Sequence, residues 1–251
     1  MEQNNFHGIA DINSKYQAFR ANIFEVYEDY LFQSHYLPII HNSIKSGSIP
    51  VFNFEDIYTG RSEIFKINSA YGVIDRQRRK VIGQRALLDA VSATESFLQK
   101  VTFRVYRDFQ WKLKTTLETS EQQTKLLEII INSDDKNEII SKIAEEKIRG
   151  IFYGNPIDFF EKDKAKIGLG SHFKDNYKSA LELYSEIIAR RNVIAHNDSR
   201  VDRKYLREVK NPIFGLGEKV SISKEYIKEC IFILHSFAAI TVEQVVKNNY
   251  G

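Results

Sequence analysis

An all-α fold is predicted for this chain, and three observations support the prediction. Apolar residues recur at spacings of three and four over long stretches, which is the pattern of amphipathic helices. Only 4 of the 251 residues are proline and 12 are glycine, so few positions interrupt a helix. The alternation typical of a strand is confined to the short run VFNF at residues 51–54. The predicted architecture is a helical bundle with a mainly helical N-terminal extension.

Composition places the chain among globular proteins. Hydrophobic residues make up 43% and charged residues 27%, which excludes a disordered chain. The single cysteine, Cys230, excludes an internal disulfide and indicates a reducing compartment. The N-terminus has neither the basic start nor the apolar stretch of a signal peptide, and no window reaches the ~20 apolar residues of a membrane span. We therefore predict a cytoplasmic protein without a membrane partner.

The first helix is predicted over residues 11–37, and a loop follows it. One apolar stripe runs along this helix, formed by Tyr16, Phe19, Ile23, Tyr27, Tyr30 and Leu31. Pro38 is expected to end the helix, since proline lacks the N–H group of the helical ladder. Gly, Ser and Pro punctuate residues 45–70, which predicts a loop with one short strand. We therefore divide the chain into an N-terminal extension, 1–70, and a helical domain, 71–251.

Three helical stretches open the larger domain. The apolar pattern from 71 to 116 is so long that it predicts either one bent helix or two abutting helices. Ser120 stands three residues before Gln123, which is the spacing of a capping box, and a helix is predicted over 120–132. The polar run NSDDKN then interrupts the pattern, and a further helix is predicted over 136–150.

A glycine-rich region separates these helices from the last two. Residues 150–173 contain four glycines and a proline among aromatic residues, which predicts a structured loop. Its fragment GLGSHF lacks the third glycine and the lysine of a phosphate-binding loop, so we do not assign it that function. Helices are predicted over 174–195 and from the cap Ser223 to about residue 247. The inner face of the last helix is predicted to carry Ile227, Cys230, Ile231, Leu234, Ala238, Thr241 and Val245.

The segment RRNVIAHND, residues 190–198, gathers side chains that could act on a phosphate. Asn192 and His196 are four residues apart and are therefore neighbours on a helix. Arg191 is five residues before His196, about 140° round an ideal helix, an offset that the long arginine stem partly closes. A guanidinium binds phosphate through paired hydrogen bonds and keeps its charge. An imidazole accepts or donates protons near neutral pH, so these three residues together could bind a phosphate and move a proton beside it.

This segment resembles the R-x4-6-H ribonuclease motif of the HEPN superfamily. The spacing from Arg191 to His196 fits the motif, and a polar residue follows the arginine. The wider segments FYGNPIDFF, LYSEIIARRNVIAHND and VDRKYL are similar to bacterial members of the RiboL-PSP and MAE types. The resemblance covers residues 71–251 and none of the N-terminal extension. Ser199 departs from it, since related sequences often carry glycine at this position.

The resemblance implies metal-independent cleavage of RNA. The ribose 2′-OH attacks the adjacent phosphorus, which leaves a 2′,3′-cyclic phosphate and a 5′-OH. His196 would act as general base or acid, Arg191 would stabilise charge on the phosphoryl oxygens, and Asn192 would position the histidine or the phosphate. Further substrate-binding residues are predicted at Arg190, Asn197, Arg200, Arg203 and Lys204. No metal and no cofactor is expected.

A homodimer is predicted as the working unit. Cleavage benefits from both a proton acceptor and a proton donor, and each chain offers one motif histidine, so two chains facing each other would supply both. The resemblance implies the same arrangement, because HEPN domains commonly form composite sites between two chains. The resemblance further implies a toxin or an antiphage effector of abortive infection, with RNA as substrate and an antitoxin or other regulatory protein as a partner.

Two other interpretations of the segment are open. One is a non-catalytic HEPN-like module that binds RNA, a nucleotide or a partner protein. The other is a solvated helix end, at which Arg and His side chains complement the negative C-terminal dipole. Basic residues are also concentrated at 76–85 and 200–210, where they could guide a phosphate backbone or form a solvated helix face. No base-reading motif identifies the RNA.

Overall fold

The computed structural model describes residues 2–48, 52–114, 120–153, 155 and 157–251. Helices dominate the structure, beside one small two-stranded sheet, so the all-α prediction is confirmed. The helices are Glu2–Lys45 (α1), Ile67–Arg76 (α2), Ile82–Asp108 (α3), Ser120–Ile131 (α4), Lys136–Phe152 (α5), Ile157–Glu161 (α6), His172–Asn176 (α7), Lys178–His196 (α8), Arg203–Glu208 (α9) and Lys224–Asn249 (α10). The strands are Asn53–Glu55 (β1) and Ser62–Ile64 (β2).

Three long helices, α1, α3 and α10, form the core of the bundle. Gly83 near the start of α3 lies against Ile222, just before α10, and Asp108 at the end of α3 accepts a hydrogen bond from the Tyr250 hydroxyl (2.6 Å). Helices α3 and α10 therefore run in the same direction. Helix α1 runs against both, because Gly8 near its start packs so closely on the Tyr250 ring that a Cβ would not fit.

The apolar stripes predicted for α1 and α10 face this core. Phe19 of α1 stacks on Phe97 of α3, with ring centroids 4.8 Å apart, and burial of each such side chain contributes about 1.5–3 kcal/mol. The predicted cap of α10 is confirmed, since the Ser223 hydroxyl accepts a hydrogen bond from the Tyr226 N–H (3.1 Å). The buried side chains of α10 include Ile227, Cys230, Leu234, Ala238, Thr241 and Val245.

Helix α10 also has the length and composition of a membrane-spanning helix. The expectation that no stretch of the chain reaches this apolar character is therefore wrong for α10. The packing gives the reason: α10 contacts α1, α3 and α8, so it carries apolar residues on more than one side. Of its most apolar window, 44% is buried within the bundle.

Helix α1 does not end at Pro38, as the sequence predicts, but continues to Lys45. Beyond the proline, Ile44 is buried, and the His41 imidazole packs on the Tyr71 ring of α2 with centroids 4.3 Å apart. These contacts offset the hydrogen bond that proline cannot make. Tertiary packing therefore overrides the local preference for a break.

The region from 45 to 70 holds a small two-stranded hairpin, where the sequence predicts one short strand. Strands β1 and β2 pair antiparallel, with Phe54 opposite Glu63. The domain boundary predicted at residue 70 falls inside α2, and the buried side chains of α1 belong to the same core cluster as those of α3 and α10. The N-terminal helix is thus part of the bundle, because its apolar stripe is buried against those two helices.

A π-helical turn, Gln77–Val81, joins α2 to α3 without a break. In this turn the Ile82 N–H donates to the Gln77 carbonyl, five residues before it. The long apolar pattern therefore forms one run of helix from Ile67 to Asp108, and a 3-10 turn, Gln110–Leu113, follows it. Single π-helical turns of this kind within α-helices are frequent at functional sites.

The remaining predicted helices are present with shifted ends. Helix α5 begins after the cap Asp135, whose carboxylate accepts a hydrogen bond from the Asn137 N–H (2.7 Å). The side chain of Ser120 lies outside the described part of the structure, so its capping role stays a prediction. The glycine-rich region contains the short helix α6 and the start of α7. The helix predicted over 174–195 is divided at Tyr177 into the end of α7 and α8, and α8 extends one residue past the predicted end, to His196.

Candidate functional site

The last turns of α8 open onto a cavity of about 600 Å³. The three residues predicted to be catalytic, Arg191, Asn192 and His196, all line it. Its other walls come from α3, from the end of α5 and from α9, and include Glu95, Phe152, Tyr153, Asn155, Lys204 and Tyr205. The fold therefore brings the predicted arginine, asparagine and histidine to one surface of a single chain.

Arg191 is fixed in this cavity by an ion pair with Glu95 of α3. Its Nη2 group donates to the Oε1 atom of Glu95, and the two side chains are 20% and 27% exposed. The Nε–H group of Arg191 is buried and has no hydrogen-bond partner among the described residues. An unsatisfied buried donor costs about 1–3 kcal/mol. An acceptor on a ligand, such as a phosphate oxygen, would satisfy it.

Glu95 is a site residue that the sequence does not single out. Burial raises the pKa of its carboxyl above the usual range, and the charge and hydrogen bond of Arg191 offset part of that rise. Glu95 lies on α3 between the buried side chains of Thr94 and Phe97, so its one signal is an acid at the edge of an apolar stripe. The position of Glu95 in the sequence does not indicate that its partner is Arg191, which lies 96 residues further along the chain on α8.

His196 and Asn192 keep polar groups free for a ligand. Within the part of the chain that the structure describes, no side-chain hydrogen bond engages either residue. His196 is exposed and is the last residue of α8, which closes with a hydrogen bond from the Asn197 N–H to the Val193 carbonyl (3.0 Å). The imidazole therefore stands at the helix end, on the cavity wall.

The loop that follows α8 shows how a serine fits at position 199, where the sequences that this segment resembles often carry glycine. Asp198 and Ser199 have left-handed backbone angles, with φ of 46° and 63°, a conformation that glycine adopts without strain. The Ser199 hydroxyl accepts a hydrogen bond from Gln84 Nε2 (2.7 Å), and its N–H donates to the Val193 carbonyl (2.9 Å). These two bonds hold the serine in the left-handed region and tie the loop to α3.

Arg190 does not fit the substrate-binding role that the sequence predicts, because it is buried and engaged within the protein. Its guanidinium pairs with Glu186 (2.6 Å), donates to the Ser221 carbonyl (2.9 Å) and lies 3.8 Å from the centre of the Tyr226 ring. The hydroxyls of Tyr226 and Tyr205 also donate to Glu186, at 2.6 and 3.0 Å. This network joins α8 to α9 and α10, so we correct the assignment of Arg190 to a structural one.

The other residues predicted to bind substrate divide into two groups. Asn197 and Lys204 line the cavity together with His196. Arg200 and Arg203 are exposed and do not line it, and the Arg200 guanidinium donates to the Gly217 carbonyl (3.1 Å). The cavity thus combines a guanidinium, an ammonium, three amides, an imidazole and the carboxylates of Glu95, Asp202 and Glu208, whereas these two arginines lie on the surface outside it.

The glycine-rich fragment GLGSHF binds an internal carboxylate. The backbone N–H groups of Ile167, Gly168 and Gly170 donate to Asp163, at 3.0, 3.1 and 3.1 Å. These three backbone donors, two of them within the fragment, are therefore occupied by Asp163.

The class of site is therefore an open cavity in an all-α bundle, lined by a paired guanidinium, amides and an imidazole. In the ranges that the structure describes, no group of three or more His, Cys, Asp or Glu side chains could hold a metal ion. Comparison with known proteins finds no matching family model, no matching curated protein and no matching solved structure. The function is accordingly inferred from the chemistry of the cavity.

Proposed function

We propose that this chain is a metal-independent endoribonuclease whose active site is the cavity at the end of α8. The observation that supports it most is the meeting of Arg191, Asn192 and His196 on one cavity wall, with a buried arginine donor that lacks a partner. A phosphodiester suits this set of groups, because a guanidinium and an amide bind its oxygens and an imidazole moves protons. The resemblance to HEPN ribonucleases points to the same reaction.

The proposed reaction moves one phosphoryl group within the RNA. The 2′-oxygen bonds to the neighbouring phosphorus while its proton passes to a base, and the P–O5′ bond breaks while the 5′-oxygen gains a proton. The products are a 2′,3′-cyclic phosphate end and a 5′-hydroxyl end, and no water is consumed. His196 exchanges one of these protons, and Arg191 stabilises the charge that develops on the phosphoryl oxygens.

Glu95 has two effects on this site. Its ion pair holds the Arg191 guanidinium in one orientation, which preorganises the cation for the transition state. A phosphate beside Glu95 would raise the pKa of its carboxyl further, because a nearby like charge disfavours ionisation. Since burial acts in the same direction, Glu95 is a second group that can exchange a proton in this cavity.

A second proton-exchanging group changes the reason to expect a homodimer. The sequence offers one motif histidine per chain, whereas the cavity adds Glu95 to His196. One chain can then provide both an acceptor and a donor, so the two-fold composite site stays a prediction and is not required by the chemistry. Mixing Arg191→Ala chains with His196→Ala chains separates the two cases, because activity returns only if one site draws groups from two chains.

The experiment that tests the proposal uses purified wild-type protein, total cellular RNA and EDTA. We expect cleavage to survive the chelator and the new ends to carry a 2′,3′-cyclic phosphate and a 5′-hydroxyl. A deoxyribose at the cleaved nucleotide should abolish cutting at that position, since it removes the nucleophile. The proposal would be overturned by 5′-phosphate ends, or by activity that EDTA removes and Mg²⁺ restores.

We place this activity in the cytoplasm, as that of a toxin or an antiphage effector of abortive infection. A nuclease that attacks cellular RNA harms the cell that makes it, so the activity requires restraint by an antitoxin or another regulatory protein. Controlled expression checks this role: growth should stop with the wild type and continue with His196→Ala. Equal growth of both strains, at equal protein levels, would contradict it.

One observation favours a second candidate, a non-catalytic module that binds RNA, a nucleotide or a partner protein. The Arg191 guanidinium already has a carboxylate partner in Glu95, which offsets part of the positive charge that would stabilise a transition state. Binding of varied RNAs without new ends would favour this candidate. The third interpretation, a solvated helix end, does not fit Arg191, whose side chain is 20% exposed and points into the cavity wall.

A further inference from the structure

We infer that RNA approaches the cavity along a basic track formed by Arg78, Arg79, Lys80, Arg200 and Lys219. The inference rests on the proposed function, since that function identifies the polyanion as RNA. It goes beyond it by assigning a binding surface outside the cavity. The two basic stretches that supply most of the track are more than a hundred residues apart in the sequence.

The loop after His196 is the place where these segments meet. Lys80 of the π-helical turn and Lys219 both contact the Asp198 carboxylate, at 3.6 and 3.3 Å. Arg200 pairs with Lys219 through an antiparallel backbone bridge. Since His196 and Asn197 line the cavity, the lysines stand within two residues of its rim. The basic track and the cavity are therefore one continuous surface.

The positive charge of the track is not cancelled by the acids within it. Asp198 faces Lys80, Lys219 and Arg200, which together lower the pKa of its carboxyl. One negative charge therefore stands against three positive charges at this point.

The π-helical turn repeats this arrangement. Asp75 alone pairs with Arg78 (3.1 Å) and Arg79 (2.8 Å). Glu218, the acid next to Lys219 in the sequence, is turned away and accepts a hydrogen bond from the Gly215 N–H (2.7 Å). The five cations of the track thus face two carboxylates, a surplus equal to the net charge of +3 of all 251 residues.

Exposure of the two lysines allows phosphates to reach them. The side chains of Lys80 and Lys219 are 42% and 48% exposed, and their ion pairs with Asp198 are longer than a strong hydrogen bond. Exposed pairs of this kind contribute roughly 0–1 kcal/mol, so a phosphate displaces them easily. Counterion release from the RNA then drives binding.

The test measures binding of a fluorescent single-stranded RNA to His196→Ala protein, which leaves the RNA uncut under the proposed function. In this background, Lys80→Gln with Lys219→Gln should weaken binding roughly twentyfold at about 0.1 M salt, since each phosphate contact contributes a slope near −0.7 in the logarithm of affinity against salt. The slope itself should become smaller by about 1.4. The charge-conserving pair Lys80→Arg with Lys219→Arg should keep both values.

A matched control removes the same charge elsewhere. Lys100 and Lys247 are exposed, and Lys247 lies at the far end of α10 from the track. Lys100→Gln with Lys247→Gln should leave the salt slope unchanged. In an otherwise wild-type chain, the glutamines at 80 and 219 should raise KM for RNA more than they lower kcat, because binding outside the cavity is equal in ground and transition states.

The outcomes separate this inference from the proposed function. If the wild type cuts RNA but both pairs of glutamines give the same salt slope, the basic track is wrong and the nuclease stands. If no RNA is cut but only the glutamines at 80 and 219 reduce the slope, the track stands and the nuclease is wrong. Absence of RNA binding by any form of the chain contradicts both.

Discussion

Arg190 and Arg191 are consecutive residues of α8, yet their surroundings differ in kind. About 100° of helical rotation separates them. Arg190 points towards α9 and α10 and enters a closed network with Glu186, two tyrosine hydroxyls and a carbonyl. Arg191 points towards α3 and enters an open cavity, where it pairs with Glu95 and keeps a buried N–H group without a partner among the described residues.

This comparison shows how one helix builds a scaffold and a site from the same residue type. A guanidinium whose donors are satisfied by the protein can only stabilise the fold, and removal of either partner leaves a buried charge uncompensated. A guanidinium with donors to spare, beside a cavity, retains capacity for a ligand. The sides of α8 therefore divide into a structural side and a proposed catalytic side, and mutations should affect the two sides differently.

The largest expected effect on the structural side comes from Arg190→Met. It leaves the Glu186 carboxylate buried without its cation, and loss of one partner of a buried pair costs about 3–5 kcal/mol. Urea unfolding should show this loss in the free energy of unfolding. Adding Glu186→Gln should recover part of it, because the uncompensated charge is then removed. A single-variant loss below about 1 kcal/mol would contradict the closed network.

The matching change on the catalytic side is Arg191→Ala. Removal of one charge-stabilising donor costs about 100-fold or more in kcat, whereas the free energy of unfolding should change by only about 1 kcal/mol, because the pair with Glu95 is partly exposed. Steady-state cleavage and urea unfolding measure the two effects on one protein preparation. A large loss of stability with unchanged cleavage would place Arg191 on the structural side.

Glu95→Gln sharpens the comparison through pH. We expect a smaller fall in kcat than for Arg191→Ala, since the amide still holds Arg191, although less firmly, and exchanges no proton. The raised pKa of Glu95 means that the folded state binds this proton more tightly than the unfolded state. Wild-type stability relative to Glu95→Gln should therefore decline as pH rises from the usual carboxyl range through the raised pKa. If the wild type instead became more stable relative to Glu95→Gln as pH rises, the idea of a desolvated Glu95 carboxyl would be contradicted.

The smallest effect is expected at the cavity rim. Lys204→Gln should raise KM for RNA about fivefold at about 0.1 M salt, the contribution of one phosphate contact, with kcat unchanged. Lys210→Gln is a matched control, because Lys210 is similarly exposed, does not line the cavity and pairs with Glu182 (2.6 Å). Equal KM values for both variants would exclude Lys204 from substrate binding.

Features that depend on local chemistry could be predicted from the sequence. The cap at Ser223 and the inward stripe of α10 follow from hydroxyl geometry and helical spacing, and both are confirmed. The grouping of Asn192 with His196 follows from their separation of four residues on one helix. The break at Pro38 failed because it rests on a local preference of the chain, which packing of His41 and Ile44 overrides.

Features that depend on contacts between distant segments could not be predicted. Nothing local distinguishes Arg190 from Arg191, since which of them meets a closed network is decided by Tyr205 and Tyr226 on other helices. Glu95 is invisible as a site residue for the same reason, because its partner is on α8. The sequence therefore identified the helix and the kind of groups, and the tertiary fold assigns each group its surroundings.

One rate comparison tests the central claim, that the cavity at the end of α8 cleaves RNA, most directly. Single-turnover cleavage of one RNA is measured for the wild type, for His196→Ala and for His35→Ala, which changes an exposed histidine of α1. We predict that His196→Ala slows cleavage by about 10²- to 10⁴-fold at an unchanged free energy of unfolding, while His35→Ala cleaves like the wild type. Cleavage by His196→Ala at the wild-type rate would contradict the account.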